Sequence, residues 1–254
     1  MSDPVLQLRN TRLVDTLYRR TRDLLYGRGW GAFHRDRIYR SLMLDLLDTF
    51  AFTSFVETGT YRGYSSELVA VRHPRLPVFT VEVVESTYRR SARALKRYRN
   101  VTALLGTSNE AVRRLIAEGK VGEMPVYYLD AHWQSYWPLR DELRAISAAG
   151  GKAVIVIDDF EVPGEPQFGF DLDGGGDPTH GEKCNLDYIR PALSSPNVYR
   201  AIFPRYAVAD GFASGGGPLR GHVVLFQNMS EEFERYLDRP LPRSYYFRHA
   251  AVVA

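Results

Sequence analysis

Phe52-Thr-Ser-Phe-Val-Glu-Thr-Gly-Thr-Tyr-Arg-Gly-Tyr-Ser-Ser66 is the stretch that decides the fold. A short apolar run, Phe52–Glu57, ends on a carboxylate and breaks at once into a turn with glycines at 59 and 63. The residues that follow, about 63–72, read as a helix. Glycine permits the close backbone approach that a tight strand-to-helix turn needs. A helix start also leaves N–H groups without intrahelical partners. A strand, a glycine turn and a helix in that order open a parallel α/β sheet.

Further along the chain the same rhythm recurs. Val78–Glu82, Val101–Leu105, Val126–Asp130 and Ala153–Asp158 are strand-like runs, with helix-like segments near 86–98, 108–118 and 138–148. Ser108 is placed to cap the third helix of the series. Pro138 suits the first turn of the fourth, and Gly150-Gly151 ends it. The Gly/Pro/Asp-rich stretch Glu161–Glu182 is long for a loop inside a domain, which marks it as a candidate lid. A short helix is expected at Leu186–Ala192. Two more strands, Tyr199–Phe203 and His222–Gln227, finish the sheet, and Ser214-Gly-Gly-Gly-Pro218 between them suggests antiparallel neighbours. Upstream, Asp36–Phe50 carries Ile38, Leu42, Leu46, Leu47 and Phe50 on one helical face. The expectation is an α/β chain with a doubly wound, seven-stranded, mostly parallel sheet. It divides into an N-terminal helical extension, 1–50, and a main domain, 51–254.

Composition narrows the function classes. The 254 residues are 44% hydrophobic and 25% charged, ordinary for a soluble globular chain. A net charge of +3 gives no strong pull toward nucleic acid, and the basic run Tyr88–Arg99 reads as the solvated face of a helix. No Asn-Pro-Pro-Tyr or Asp-Pro-Pro-Tyr motif of base methylation appears. Cys184 is the single cysteine, which excludes an intrachain disulfide and a cysteine metal cluster. No apolar run is long enough to span a bilayer and no signal-peptide core is visible, so no membrane partner and a cytoplasmic location are expected.

In open α/β sheets ligands bind outside the carboxyl ends of the strands. Here those ends are acidic: Glu57, Glu82, Asp130 and the pair Asp158-Asp159. The first turn does not fit the nicotinamide-cofactor pattern G-x-G-x-x-G, because Tyr61 stands at the second glycine. Glu82, 25 residues after Glu57, is suited to accept hydrogen bonds from both ribose hydroxyls of a nucleoside. That role serves NAD and S-adenosylmethionine alike.

Glu57-Thr-Gly-Thr-x-x-Gly-x-Ser, Glu82, Gly106-Thr-Ser108 and Leu129-Asp-Ala-His132, in this order, resemble the successive motifs of class I S-adenosylmethionine-dependent methyltransferases. The resemblance covers about residues 50–230 and is nearest to small-molecule and sugar O-methyltransferases of the macrocin type. It implies a Rossmann-like methyltransferase fold. It implies that Glu57, Thr58, Gly59, Gly63 and Ser65 hold the methionine portion of the cofactor and that Glu82 holds the ribose. Thr107 and Ser108 would line the adenine pocket, and Asp130 would close the site. It also implies Mg2+, held by Asp130, Asp158 and Asp159. Adjacent side chains of an extended strand point opposite ways. Asp158 and Asp159 can therefore share an ion only where the chain leaves extended geometry; otherwise Asp159 is a turn residue.

His132 stands where the resembling enzymes often carry an aspartate base. Histidine takes up a proton near neutral pH, so His132 with Asp130 is the expected catalytic set. Trp133, Tyr136 and Trp137 are suited either to stack on a sugar or to pack as a wall. Phe168, Phe170, Asp171 and Asp173 belong to the candidate lid, and His180 and Arg205 are weaker candidates for acceptor contacts. The aromatic–basic segment Trp30–Arg35 fits a cover over the acceptor or an oligomer contact. The expected function is methyl transfer from S-adenosylmethionine to a hydroxyl of a small polar acceptor, by a homo-oligomer that binds no nucleic acid. The alternatives are a nitrogen acceptor, or a cofactor-binding protein of the same fold without turnover.

Overall fold

Five apolar runs alternate with five amphipathic helices, and the computed structural model shows how they assemble; it describes residues 31–131, 137–173, 181–212 and 219–253. The parallel strands are β1 (Ser54–Thr58), β2 (Val78–Glu82), β3 (Val101–Leu105), β4 (Pro125–Leu129) and β5 (Ala153–Asp158). Helix α1 (Arg37–Thr49) precedes them. Between them run α2 (Tyr64–Arg72), α3 (Glu85–Leu95), α4 (Ser108–Ala117) and α5 (Leu139–Ala149). Every residue of β1, β4 and β5 is buried, as expected for strands covered on both faces.

The later part of the chain adds β6 (Phe168–Gly169), β7 (Val198–Pro204), β8 (Leu219–Arg220), β9 (His222–Gln227) and β10 (Tyr246–Val253). The main sheet has the order β10-β7-β9-β5-β4-β1-β2-β3, and β6 pairs with β8 in a separate two-stranded ribbon. β9 inserts between β5 and β7, antiparallel to both. The antiparallel neighbours expected from the Ser214–Pro218 turn are therefore present. The sheet has eight strands rather than seven, because β10 adds an antiparallel edge strand against β7.

The boundaries follow local chemistry. Pro138 precedes α5 and Gly150, at φ +65°, closes it. Asp36 caps α1, accepting from the N–H groups of Ile38 (2.9 Å) and Tyr39 (3.1 Å). Ser108 does not cap α4: Thr107 occupies the cap position, with its hydroxyl on Glu110 (2.6 Å), and Ser108 is the buried first helical residue. The run Tyr88–Arg99 lies largely on α3, whose buried residues are Ser91 and Leu95, so its basic side chains belong to the outer face as expected.

Residues 31–50 share one hydrophobic cluster with the sheet. Phe33, Tyr39, Leu42, Met43 and Leu46 are all at most 1% exposed and join that cluster beside β1, β4, β5 and β9. Among the described residues no helix is long and apolar enough to cross a membrane.

Candidate active site

Chain order reverses between β1 and β4, since β1 runs on to β2 on one side while β4 runs on to β5 on the other. The carboxyl ends of these two strands therefore splay apart into a crevice, which is the ligand position of doubly wound sheets. A cavity of about 510 Å³ opens there, within the range of small-molecule sites.

Gly59 sits at the joint. Its φ is +83°, and a Cβ at this position would stand 2.2 Å from the Asp130 carbonyl oxygen. Glycine is required on both counts. The Asp130 N–H donates to the Thr58 carbonyl (3.1 Å) and to Thr58 Oγ1 (3.2 Å), so the loop after β1 is sewn to the end of β4. Gly63, at φ +71°, starts α2.

Two carboxylates hold the loop. Glu57 is buried, and its Oε2 accepts from Ser66 Oγ and Thr80 Oγ1, both at 2.6 Å. Burial pushes its pKa up to about 7, against the hydroxyls of Ser66, Thr80 and Ser65, which pull it down. Glu82 accepts from the Tyr61 N–H through Oε2 and from the Val84 N–H through Oε1, each at 2.9 Å.

Of the residues expected to bind cofactor, Gly59, Glu82, Ser108 and Asp130 line the cavity. Glu57, Thr58 and Gly63 shape the turn, sew it to β4 or start its helix, and Ser65 lies in the first turn of that helix. Thr107 turns its hydroxyl to Glu110. Tyr61, Val83 and Val84 also line the cavity, and their apolar surface is what a flat nucleoside base would pack against.

The other wall is built from distant parts of the chain. Asp158, at the end of β5, has a fully buried side chain. Its Oδ2 accepts from Tyr128 Oη and meets His34 Nε2, both at 2.6 Å. Its Oδ1 is buried and has no hydrogen-bond partner among the described residues. The Asp158 charge lifts the His34 pKa to about 10, against the opposing effect of burial. Tyr128 Oη also reaches Asp130 Oδ2 at 3.3 Å. Beneath this cluster Tyr39 stacks flat on His222, with centroids 3.6 Å apart. Burial pushes His222 down to about 4, so it packs as a neutral ring.

Asp130 and Asp158 are thus together as expected, and the residue that joins them is His34. Donor atoms of these three side chains lie within 4.8 Å of one another. Asp159 goes elsewhere. The chain does leave extended geometry there, with φ +53°, but the Asp159 carboxylate pairs with the Arg220 guanidinium, which also grips Asp171. The expected Asp130–Asp158–Asp159 ligand set is therefore not gathered around one point among the described residues: an arginine fork engages the third carboxylate.

His132, Trp133, Tyr136 and His180 lie outside the described residues. Trp137 packs edge-on against Tyr188 (5.7 Å). Phe168 is buried against Tyr206. Arg205 pairs with Glu165 at 3.0 Å and lies over Phe247, away from the cavity. Asp171 reaches the cavity rim, with its N–H on the Asp159 carbonyl (2.9 Å). Sequence reasoning missed His34 and Arg220. The only signal for His34 was the aromatic–basic segment that contains it, and Arg220 follows a glycine-rich stretch of sequence without any motif.

No protein-family model matches the chain, and no curated protein sequence matches it. Solved structures do. A Staphylococcus aureus protein assigned as a caffeoyl-CoA O-methyltransferase shares 15% identity, with 87% of this chain and 99% of that one covered at a TM-score of 0.51. Cofactor-bound Rv0187 from MTB shares 16% identity over 86% and 98% of the two chains, at a TM-score of 0.50. An enzyme assigned as an O-methyltransferase from Klebsiella pneumoniae covers 90% and 91% at 16% identity, with a TM-score of 0.49. The chain has the fold of the first two, a Rossmann-like α/β fold with a mostly parallel sheet.

Proposed function

We propose that this chain is an S-adenosylmethionine-dependent methyltransferase that alkylates a hydroxyl of a small polar acceptor. The observation that carries this reading is the joint between Gly59 and Asp130. It brings a glycine turn, a ribose-suited carboxylate and an acidic acceptor wall around one cavity at the switch point of the sheet. The residues fit the cofactor: Glu82 for the ribose hydroxyls, Val83, Val84 and Ser108 for the base, and the Gly59 turn for the methionine end. When bound, the cofactor supplies an electrophilic methyl group on a sulfonium, and S-adenosylhomocysteine is the by-product.

The acceptor wall fits a divalent cation, Mg2+ in the sequence reading. Asp130 and Asp158 would hold it, and the buried Oδ1 of Asp158 has no partner among the described residues. Such a cation acidifies a hydroxyl and orients it. His132, two residues beyond Asp130, is proposed to take the hydroxyl proton. Asp171, fixed by Arg220, would contact polar groups of the acceptor. An amine acceptor is the second reading, because the same wall would bind a cationic amine.

Calorimetry with S-adenosylmethionine and S-adenosylhomocysteine tests the cofactor assignment, and lack of binding by either sinks it. Transfer of labelled methyl to a panel of hydroxyl- and amine-bearing small molecules, with and without chelator, separates the two acceptor readings. Chelator-sensitive labelling of hydroxyls alone is the expected result.

A further inference from the structure

His34 reaches the acidic wall by an uncommon route. Phe33, His34 and Arg35 have φ of +50°, +54° and +66°, three consecutive non-glycine residues in left-handed conformation. Each such residue costs roughly 1–2 kcal/mol relative to the right-handed form. The turn is nonetheless well anchored. Phe33 is 1% exposed and packs against Tyr39 and Tyr128 at 5.4 and 5.2 Å between centroids. The Arg35 N–H donates to the Ala32 carbonyl (3.0 Å) and the Asp36 N–H to the Phe33 carbonyl (2.9 Å). Packing around the turn therefore holds an unfavourable backbone, and what the turn delivers is one imidazole.

The imidazole arrives beside two carboxylates, Asp130 and Asp158. Its Nε2 is hydrogen-bonded to Asp158 Oδ2 (2.6 Å), through a proton that a bound cation would displace, and the fully buried Asp158 side chain has no partner for its Oδ1 among the described residues. Two donors bound to one ion at about 2.1 Å each can stand up to about 4.2 Å apart. The donor atoms of His34, Asp130 and Asp158 lie within 4.8 Å of one another, so a small closure brings all three onto one centre. The His34 side chain is 33% exposed, which leaves room on the cavity side for acceptor or water.

We propose that His34 is the nitrogen ligand of a divalent-cation site completed by Asp130 and Asp158, and that this site takes a first-row transition ion such as Mn2+ or Co2+ in preference to Mg2+. The inference rests on the methyltransferase reading for its place in catalysis but not for its chemistry. One imidazole with two carboxylates is a borderline donor set that favours transition ions, whereas Mg2+ favours all-oxygen surroundings. The Asp159–Arg220 pair leaves the imidazole as the third donor among the described residues. The turn then has a purpose, since a ligand on a constrained element loses less freedom on binding.

The test uses the full chain, with and without saturating S-adenosylhomocysteine. Mn2+ and Mg2+ are titrated by calorimetry, and bound Mn2+ is probed by pulsed electron paramagnetic resonance for coupling to a nitrogen-14 nucleus. Expected are Mn2+ binding at least about tenfold tighter than Mg2+, a nitrogen coupling in the wild type, and loss of that coupling in His34→Ala with a Mn2+ affinity lower by at least about tenfold. Asp159→Asn should keep both. Wild-type Mn2+ without nitrogen coupling overturns the proposal, even where His34→Ala fails to fold. So does equal affinity for the two ions, or an affinity that falls in Asp159→Asn and not in His34→Ala. Loss of S-adenosylhomocysteine binding with an intact nitrogen-coupled ion would instead overturn the methyltransferase reading alone.

Discussion

The two walls of the cavity are built on different plans. The cofactor wall comes from consecutive chain, β1 through the start of α4, and its carboxylates are held by neutral donors: hydroxyls on Glu57, backbone amides on Glu82. The acceptor wall gathers His34, Asp130, Asp158, Asp171 and Arg220 from positions spread over most of the chain, and its carboxylates are held largely by cations. On the proposed function, the difference follows from what each wall would recognise. A nucleoside is met by fixed dipoles and a shaped turn, which local sequence can encode. A polar acceptor near a cation is met by charge, and charge can be brought from anywhere that packing allows.

The comparison can be broken at the joint. Gly59→Ala places a methyl group against the Asp130 carbonyl at a positive φ. It should cost about 3 kcal/mol or more and abolish both S-adenosylhomocysteine and cation binding. Denaturant unfolding and calorimetry check this, and a variant that keeps either ligand would show the walls to be independent.

Glu57 tests the cofactor wall through pH. Its folded pKa of about 7 lies above the ordinary value of 4.5. The folded state then binds more protons than the unfolded state between those values. Stability contributed by this group is full below about pH 4.5 and is lost as pH rises through 7, by about 3 kcal/mol at most. Urea unfolding across pH 4.5–7.5 should show that decline in the wild type and a flatter profile in Glu57→Gln. An unchanged profile in the variant would refute the assignment.

Arg220 tests the acceptor wall alone. Arg220→Ala leaves Asp159 and Asp171 facing each other without a cation, which should destabilise by about 2 kcal/mol. Methyl transfer should fall while S-adenosylhomocysteine affinity stays within twofold or so. Smaller still is the effect expected of Glu82→Gln. It keeps the shape of the site but weakens the charge-assisted bonds to ribose, lowering S-adenosylhomocysteine affinity by about tenfold with cation affinity unchanged.

Legibility in the sequence divides along the same line. Val78–Glu82, Val101–Leu105, Ala153–Asp158 and His222–Gln227 were readable residue for residue, because buried strands must be apolar and their ends must turn. Gly59 and Glu82 were legible for the same local reason. β10 was not, since Tyr246–Val253 follows two short helices and lies at the sheet edge, where pairing with β7 rather than burial on both faces defines it. The His34–Asp158 contact was invisible because nothing in residues 33–35 announces a left-handed turn; only the packing of Phe33 on Tyr39 and Tyr128 imposes it. The Arg220 partner of the third carboxylate was not legible, because Arg220 lies 61 residues from Asp159 and belongs to no motif.

The span of the acceptor wall has a kinetic meaning. The His34–Asp158 contact closes across 124 residues and the Asp36–Tyr206 contact across 170. Contacts this distant in sequence carry a large loop-closure cost and are formed slowly. The Gly59 turn can take shape from its own neighbourhood, whereas the acidic wall must wait for β5, β7 and β9 to be synthesised and docked. A nascent or truncated chain would therefore present a partial cofactor cleft with no chemistry behind it, and activity would appear late in folding and as a whole.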